Sequence, residues 1–192
     1  MILSLLFYSF VVFTSIQIIY YLIFSSVLFD SKEKKEKTKE IPISVIVCAK
    51  NEAKNLEVFL PSILNQKYPD FEVVLINDAS SDETLEVMKS FEEKHSNIKI
   101  IDVENIEAFW GNKKYALTLG IKAAKNENLL FTDADCKPVS HKWIYEMTEH
   151  FNIEKTIVLG YGKYKKEKSL LNLLVRFETL ITAIQYFSYA KI

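Results

Sequence analysis

The segment LLFTDADCKP, Leu129 to Pro138, is a short apolar run that ends in two aspartates separated by one alanine. On an extended backbone Asp133 and Asp135, at i and i+2, emerge on the same face, about 6 to 7 Å apart. Two like charges that close repel unless something positive sits between them. The pair therefore reads either as a carboxylate couple for a cation or as a strand-end turn with a helix cap. Other residue types offer less. His95, His141 and His150 show no ligand spacing and read as structural or surface residues. Trp110, in the AFWGN loop, could line a pocket or anchor an exposed loop, and the sequence leaves both readings open.

The elements that must position the two aspartates follow a repeating pattern from Ile41 onward. ISVIVCA (Ile43 to Ala49) and FEVVLIN (Phe71 to Asn77) are apolar and β-branched, as strands buried on both faces should be. Between them, Asn51 to Asn65 carries Leu56, Phe59, Leu60, Ile63 and Leu64 at helical spacing. SSDETLEVMKSFEEKH predicts a second helix, capped by Ser81 or Asp82 and striped by Leu85, Met88 and Phe91, before a strand at IKIID (Ile98 to Asp102). A helix over Lys113 to Lys125 and a strand over Asn128 to Thr132 complete the pattern. Such alternation predicts an α/β fold: a mostly parallel, Rossmann-like sheet flanked by helices.

In parallel sheets ligands bind beyond the carboxyl ends of the strands. Those ends carry Lys50-Asn51-Glu52, Asn77-Asp78-Ala79-Ser80 and Asp133-Ala134-Asp135. The chain has only four glycines, with no GxGxxG after the first strand and no GxxxxGK[ST], which argues against a dinucleotide cofactor or a P-loop. Phosphates would have to be held in another way. A divalent cation, Mg²⁺ or Mn²⁺, between Asp135 and a diphosphate would do so, because such ions take one or two carboxylates and complete their shell with phosphate oxygens and water.

ISVIVCAKNEAKNLEVFLPSILNQKYPDFEVVLINDASSDETLEVM, followed by GNKKYALTLGIKAAKNENLLFTDADCKP, resembles the nucleotide-binding half of a family 2 glycosyltransferase of the inverting GT-A fold. The resemblance spans roughly Ile41 to Val139 and rests on four motifs in the family's order and spacing. It implies that Glu52 and Asp78 contact the base and ribose of a nucleotide-sugar. Lys113, in the KxxAL pattern, would lie near the donor, and Asp133 with Asp135 would be the DxD motif that meets ribose and metal. The chemistry of these side chains suits the roles. A carboxylate such as Asp78 accepts from a ring imide N–H, and Asp133 accepts from ribose hydroxyls. A metal on Asp135, with Lys113 as a second cation, would stabilise charge on a departing nucleoside diphosphate. Each residue also has a plain structural reading: Lys113 or Lys114 as a solvated lysine at a helix start, Glu52 as a first-turn acid favoured by the helix dipole.

Composition frames the site. With 192 residues, 49% of them hydrophobic, the chain has room for one domain and something extra. A net charge of -1 gives no electrostatic footprint for nucleic acid. The two cysteines, Cys48 and Cys136, have no zinc or disulfide spacing and fit a reducing compartment. From Ile2 to Phe29 no side chain is charged; as a helix this stretch would reach about 40 Å, enough to span a ~30 Å hydrocarbon core. It predicts a transmembrane helix over 2–29 rather than a cleaved signal, since nothing basic precedes it. Lys32, Lys34, Lys35, Lys37 and Lys39 follow in a linker over 30–40, which predicts Met1 outside and the rest of the chain in the cytoplasm. The expected GT-A domain covers 41–168.

The C-terminal part departs from the family pattern. An inverting transferase needs a carboxylate to take the acceptor's proton, and in the family that base lies in an ED-like motif beyond the DxD. Residues 169–192 instead form an apolar segment, expected as a helix lying on the membrane or packing under a missing acceptor lobe. Glu178 is the candidate base there, and it matches no family base motif. The expectation is a GT-A fold incomplete at its C-terminus, in a membrane-anchored glycosyltransferase or its N-terminal fragment, which binds its donor but does not complete transfer to a glycan or lipid-linked acceptor alone. A non-catalytic, membrane-bound nucleotide-binding or scaffold protein is the alternative.

Overall fold

The computed structural model of the chain describes residues 2–25, 40–104, 113–151 and 156–191. The five linker lysines Lys32, Lys34, Lys35, Lys37 and Lys39, and Trp110, lie outside the described residues. Two compact units are present, one formed by Met1–Lys35 with Leu159–Ile192, the other by Glu36–Val158.

The second unit contains β1 (Ile43–Ala49), β2 (Phe71–Asp78), β3 (Ile98–Val103) and β4 (Asn128–Asp133) in one parallel sheet of order β3-β2-β1-β4. Helices α2 (Ala53–Leu64), α3 (Thr84–Glu92), α4 (Lys113–Ala123) and α5 (Trp143–Thr148) accompany them, α1 being the N-terminal helix described below. All seven residues of β1 are buried, as a central strand covered on both faces requires. Its side chains alternate between two cores. Val45 and Val47 face a cluster with Val73, Leu75, Leu56, Leu60, Ile63, Met88 and Ile144. Ile46 and Cys48 face the opposite cluster with Val74, Ile76 and Ala116. Gly120 lets α4 approach that second face: a Cβ there would lie 2.2 Å from Ile76 Cδ1 and 2.9 Å from its Cγ1.

Buried Gln66 fixes the chain that follows β4. Its Nε2 donates to Ser140 O (2.8 Å), its Oε1 accepts from the Ile144 backbone N–H (3.3 Å), and Lys67 N donates to His141 O (2.8 Å). The β4-to-α5 segment is thereby stapled to the end of α2.

The first unit holds α1 (Ile2–Ser25) and α6 (Leu170–Lys191), both long and apolar enough to cross a membrane. Ser169 begins α6 by accepting the Asn172 N–H on its Oγ (3.0 Å), an N-cap bond that satisfies one otherwise orphaned donor. The carboxyl ends of the two helices meet: Ser188 Oγ lies 3.0 Å from Phe24 O, and the Phe24 and Tyr189 rings contact edge to face at 5.2 Å.

Candidate functional site

Parallel register brings the carboxyl ends of three strands together. Cys48 pairs with Asp133 across β1 and β4, and Ala49 with Asn77 across β1 and β2. The next residues, Lys50 and Asp78, therefore leave the sheet side by side, with Lys50 Nζ 3.9 Å from Asp78 Oδ2. Asp78 is mostly shielded, its side chain 14% exposed, whereas Asp133 on β4 is open to solvent. Lys113, the first residue of α4, reaches Asp133 Oδ1 at 2.6 Å. That contact raises the Lys113 pKa against a smaller opposing effect of desolvation, so the ammonium stays charged.

The Asp133–Asp135 pair is built differently from the sequence expectation. β4 ends at Asp133, and Ala134 and Asp135 lie in a turn closed by Cys136 N donating to Asp133 O at 3.1 Å. Extended backbone therefore does not align the two carboxylates. The turn gathers them, because Ala134 is buried under it (5% exposed) and leaves its polar neighbours outside. Ligand atoms of Asp133, Asp135 and Cys136 lie within 4.8 Å of one another. Asp135 has no ion-pair partner among the described residues. An exposed donor set of carboxylates without a full complement of cations is chemically suited to a divalent ion.

The loops after β1 and β2 are locked to each other. Asn51 has φ 57° and Ala79 φ 48°, a left-handed conformation that costs an L-residue such as alanine about 1–2 kcal/mol. Side-chain bonds offset that strain. Asn51 Oδ1 accepts from Ser81 N (2.7 Å), Asn51 N donates to Ser80 Oγ (3.0 Å), and Ser80 N donates to Asn77 Oδ1 (3.3 Å). Thr84 Oγ1 accepts from Glu52 N (2.9 Å) while donating to Asp82 Oδ1 (2.5 Å), and Asp82 Oδ2 accepts from Ala53 N (3.3 Å). Neither residue expected to cap α3 is its N-cap: that position is Glu83, whose side chain makes no cap bond, and Asp82, one residue earlier, instead accepts from Thr84 N at 3.1 Å while also reaching the start of α2. The Thr84 hydroxyl, followed by desolvation that opposes it and by further backbone N–H bonds, leaves the Asp82 carboxyl below its ordinary pKa.

Glu52 stands at the head of α2 with its Oε2 accepting from Asn55 Nδ2 at 2.6 Å, on the rim formed by these loops. Beneath the rim, burial pushes the Cys48 thiol up to about 11; Asp78 and Asp133 add to the shift, and Lys113 and Lys50 oppose it. Cys48 therefore marks a floor that feels the charges of all four. Glu178 is an exposed residue of α6, which belongs to the other unit. Cys136 was not singled out by sequence reasoning as a site residue, since a lone thiol has no spacing signal; only its adjacency to the aspartates could have marked it.

Comparison with known proteins gives a consistent set of likenesses. The family model "Glycosyl transferase family 2" matches residues 44–189. Poly-beta-1,6-N-acetyl-D-glucosamine synthase of Staphylococcus epidermidis is 31% identical over 147 residues, covering 76% of this chain and 34% of that protein. The cholesterol galactosyltransferase of Borreliella burgdorferi is 32% identical over 93 residues, 48% of this chain and 25% of its own length. Among solved structures, a mannosyltransferase of Pyrobaculum calidifontis in complex with GDP-Man and Mn²⁺ superposes with a TM-score of 0.61 at 25% identity, covering 69% of this chain and 39% of that one. The chain thus spans about a third or less of the curated relatives named here.

Proposed function

The chain belongs to glycosyl transferase family 2, and from that premise we propose that Glu36–Val158 is the nucleotide-sugar-binding unit of a membrane-anchored, metal-assisted inverting glycosyltransferase. Its parallel sheet flanked by helices is the GT-A architecture expected from the sequence. The observation that carries the reading is the convergence of Asp78, Lys113, Asp133 and Asp135 at the carboxyl ends of β2 and β4 and the start of α4.

In this reading Asp78, shielded and beside Lys50, accepts from a ring N–H of the base, and Glu52 on the rim completes that subsite. Asp133 accepts from ribose hydroxyls and Lys113 turns from Asp133 toward the diphosphate. Asp135, with Asp133, would hold Mg²⁺ or Mn²⁺; such an ion supplies Lewis-acid stabilisation of the departing diphosphate. The locked loops after β1 and β2 keep these groups in place before the donor arrives, which lowers the ordering cost of binding. The mannosyltransferase complex with GDP-Man and Mn²⁺ supports a nucleotide-sugar and a divalent metal as ligands. The named relatives carry N-acetylglucosamine, galactose and mannose in their names, so likeness does not select the sugar.

Residues 2–29 serve as the anchor, the lysines of 30–40 keep the donor unit in the cytoplasm, and 169–192 lies at the membrane or under an acceptor-binding part. The acceptor is a glycan or a lipid-linked glycan, as in polysaccharide biosynthesis. Equilibrium binding of a panel of UDP-, GDP-, ADP- and dTDP-sugars to the full chain in detergent, with Mn²⁺, Mg²⁺ or a chelator, tests the reading. Saturable binding of one base class, strengthened by metal, is expected; no binding across the panel would contradict it.

A further inference from the structure

We propose that Asp102, at the carboxyl end of β3, is a positioning residue for base recognition: through the side-chain amide of Asn77 it sets the backbone turn that carries Asp78. The inference deepens the donor-binding reading above and rests on it. Parallel register places Ala49, Asn77 and Asp102 side by side across β1, β2 and β3, at the ends from which the site loops leave. Asn77 is buried, 4% exposed, and the two ends of its amide have different partners: Nδ2 donates to Asp102 Oδ1 at 2.7 Å, while Oδ1 accepts from Ser80 N at 3.3 Å. Alternation along β2 turns Asn77 and Asp78 to opposite faces, so Asp102 bonds the residue before Asp78 and acts on Asp78 only through the backbone.

The chemistry of the pair fixes its direction. An ionised carboxylate only accepts, so Asp102 takes the NH₂ end of the Asn77 amide and leaves the carbonyl end for the Ser80 N–H. A flipped amide would set oxygen against oxygen at Asp102 and donor against donor at Ser80, and both bonds would fail together. The bond from Ser80 back to Asn77 spans Asp78 and Ala79, and Ala79 has φ 48°, a conformation that persists only where the surrounding structure enforces it. From Ser80 the hold passes to the loop after β1, because Asn51 N donates to Ser80 Oγ at 3.0 Å. One carboxylate on β3 thus governs the polarity of the bonds that frame Asp78.

Equilibrium binding of UDP, GDP, ADP and dTDP to the full chain in detergent tests this, with the preference among bases as the readout. The wild-type chain should favour one base. Asp102→Ala frees the Asn77 amide to flip; it should weaken the favoured nucleotide roughly tenfold, the upper end of the net worth of one hydrogen bond, and change the other three by no more than about twofold. Asn77→Asp alone sets two carboxylates against each other and should lose at least as much. Combining Asn77→Asp with Asp102→Asn exchanges donor and acceptor and keeps an acceptor for Ser80 N, so affinity and base preference should return to within about threefold of wild type. An unchanged preference in Asp102→Ala, an equal loss for all four nucleotides, or a double variant no better than Asn77→Asp would overturn the role of Asp102 and leave the donor site standing. Wild-type chain that binds none of the four, or all of them equally, would overturn the base-binding reading together with this inference.

Discussion

Asp82 shows how one carboxylate can organise the loops at two strand ends. It accepts from Thr84 Oγ1, Thr84 N and Ala53 N, and so ties the loop after β1 to the loop after β2. Its pKa is lowered, chiefly by the Thr84 hydroxyl. A carboxylate whose native pKa is depressed lends stability that is complete above the ordinary value of about 3.9 and is lost as pH falls through the lower native value. Asp82→Ala should therefore cost about 1 kcal/mol at neutral pH, the usual net worth of a lost hydrogen bond, and the difference from wild type should shrink as pH drops below about 4. Urea unfolding of the detergent-solubilised chain across pH 3 to 7 measures both; a constant difference would show that the charge is not what binds the loops. Residue by residue, the aspartates and Lys113 were legible because each charge stands where an apolar run ends or a helix begins. Asp82 was expected as a cap of α3, a position that Glu83 takes instead, and its bridging role was not legible, since the bridge depends on two loops meeting in space.

Among the elements, the four strands follow the sequence pattern closely: β1 occupies the expected Ile43–Ala49, and β2, β3 and β4 each extend one residue beyond their apolar runs. Two features were hidden. The six-residue α5 is too short to show helical periodicity, and its place is fixed by the distant Gln66. The Asp133–Asp135 step was read as strand because the apolar run gives no sign of the turn that buried Ala134 helps to form. Gly120 offers a direct check on how α4, and with it Lys113, is held against the sheet. A methyl group there collides with Ile76, which is fully buried. Gly120→Ala should destabilise the chain by about 1–3 kcal/mol through overpacking. Ile76→Val removes the Cδ1 that would clash, so the double variant should recover part of that loss instead of adding to it. Strict additivity of the two changes in urea unfolding would mean that α4 moves away from the sheet rather than pressing on Ile76.

At the scale of the whole chain, the proposed function divides attachment, by two helices long and apolar enough to cross a membrane, from donor binding, by one α/β unit. The lysines after the first apolar run predict that protease added to sealed, right-side-out vesicles spares the chain beyond Lys32, whereas the same protease digests it in inverted vesicles. Cleavage beyond Lys32 in right-side-out vesicles would reverse the assigned orientation. Within the α/β unit, the proposed function has metal and donor meeting at Asp133 and Asp135. If the metal bridges the protein and the donor's diphosphate, each ligand strengthens the other, and by linkage the factor is the same whichever is added first. The most direct measurement is that coupling factor: the affinity of the nucleotide-sugar bound best, determined over a series of Mn²⁺ concentrations, and the affinity for Mn²⁺ determined over a series of donor concentrations. The predicted result is a common factor of roughly tenfold or more, within the usual range of coupling free energies, that falls to one in Asp135→Asn. Donor binding that is indifferent to Mn²⁺ in the wild-type chain, or a coupling factor unchanged by Asp135→Asn, would contradict the assignment of the site.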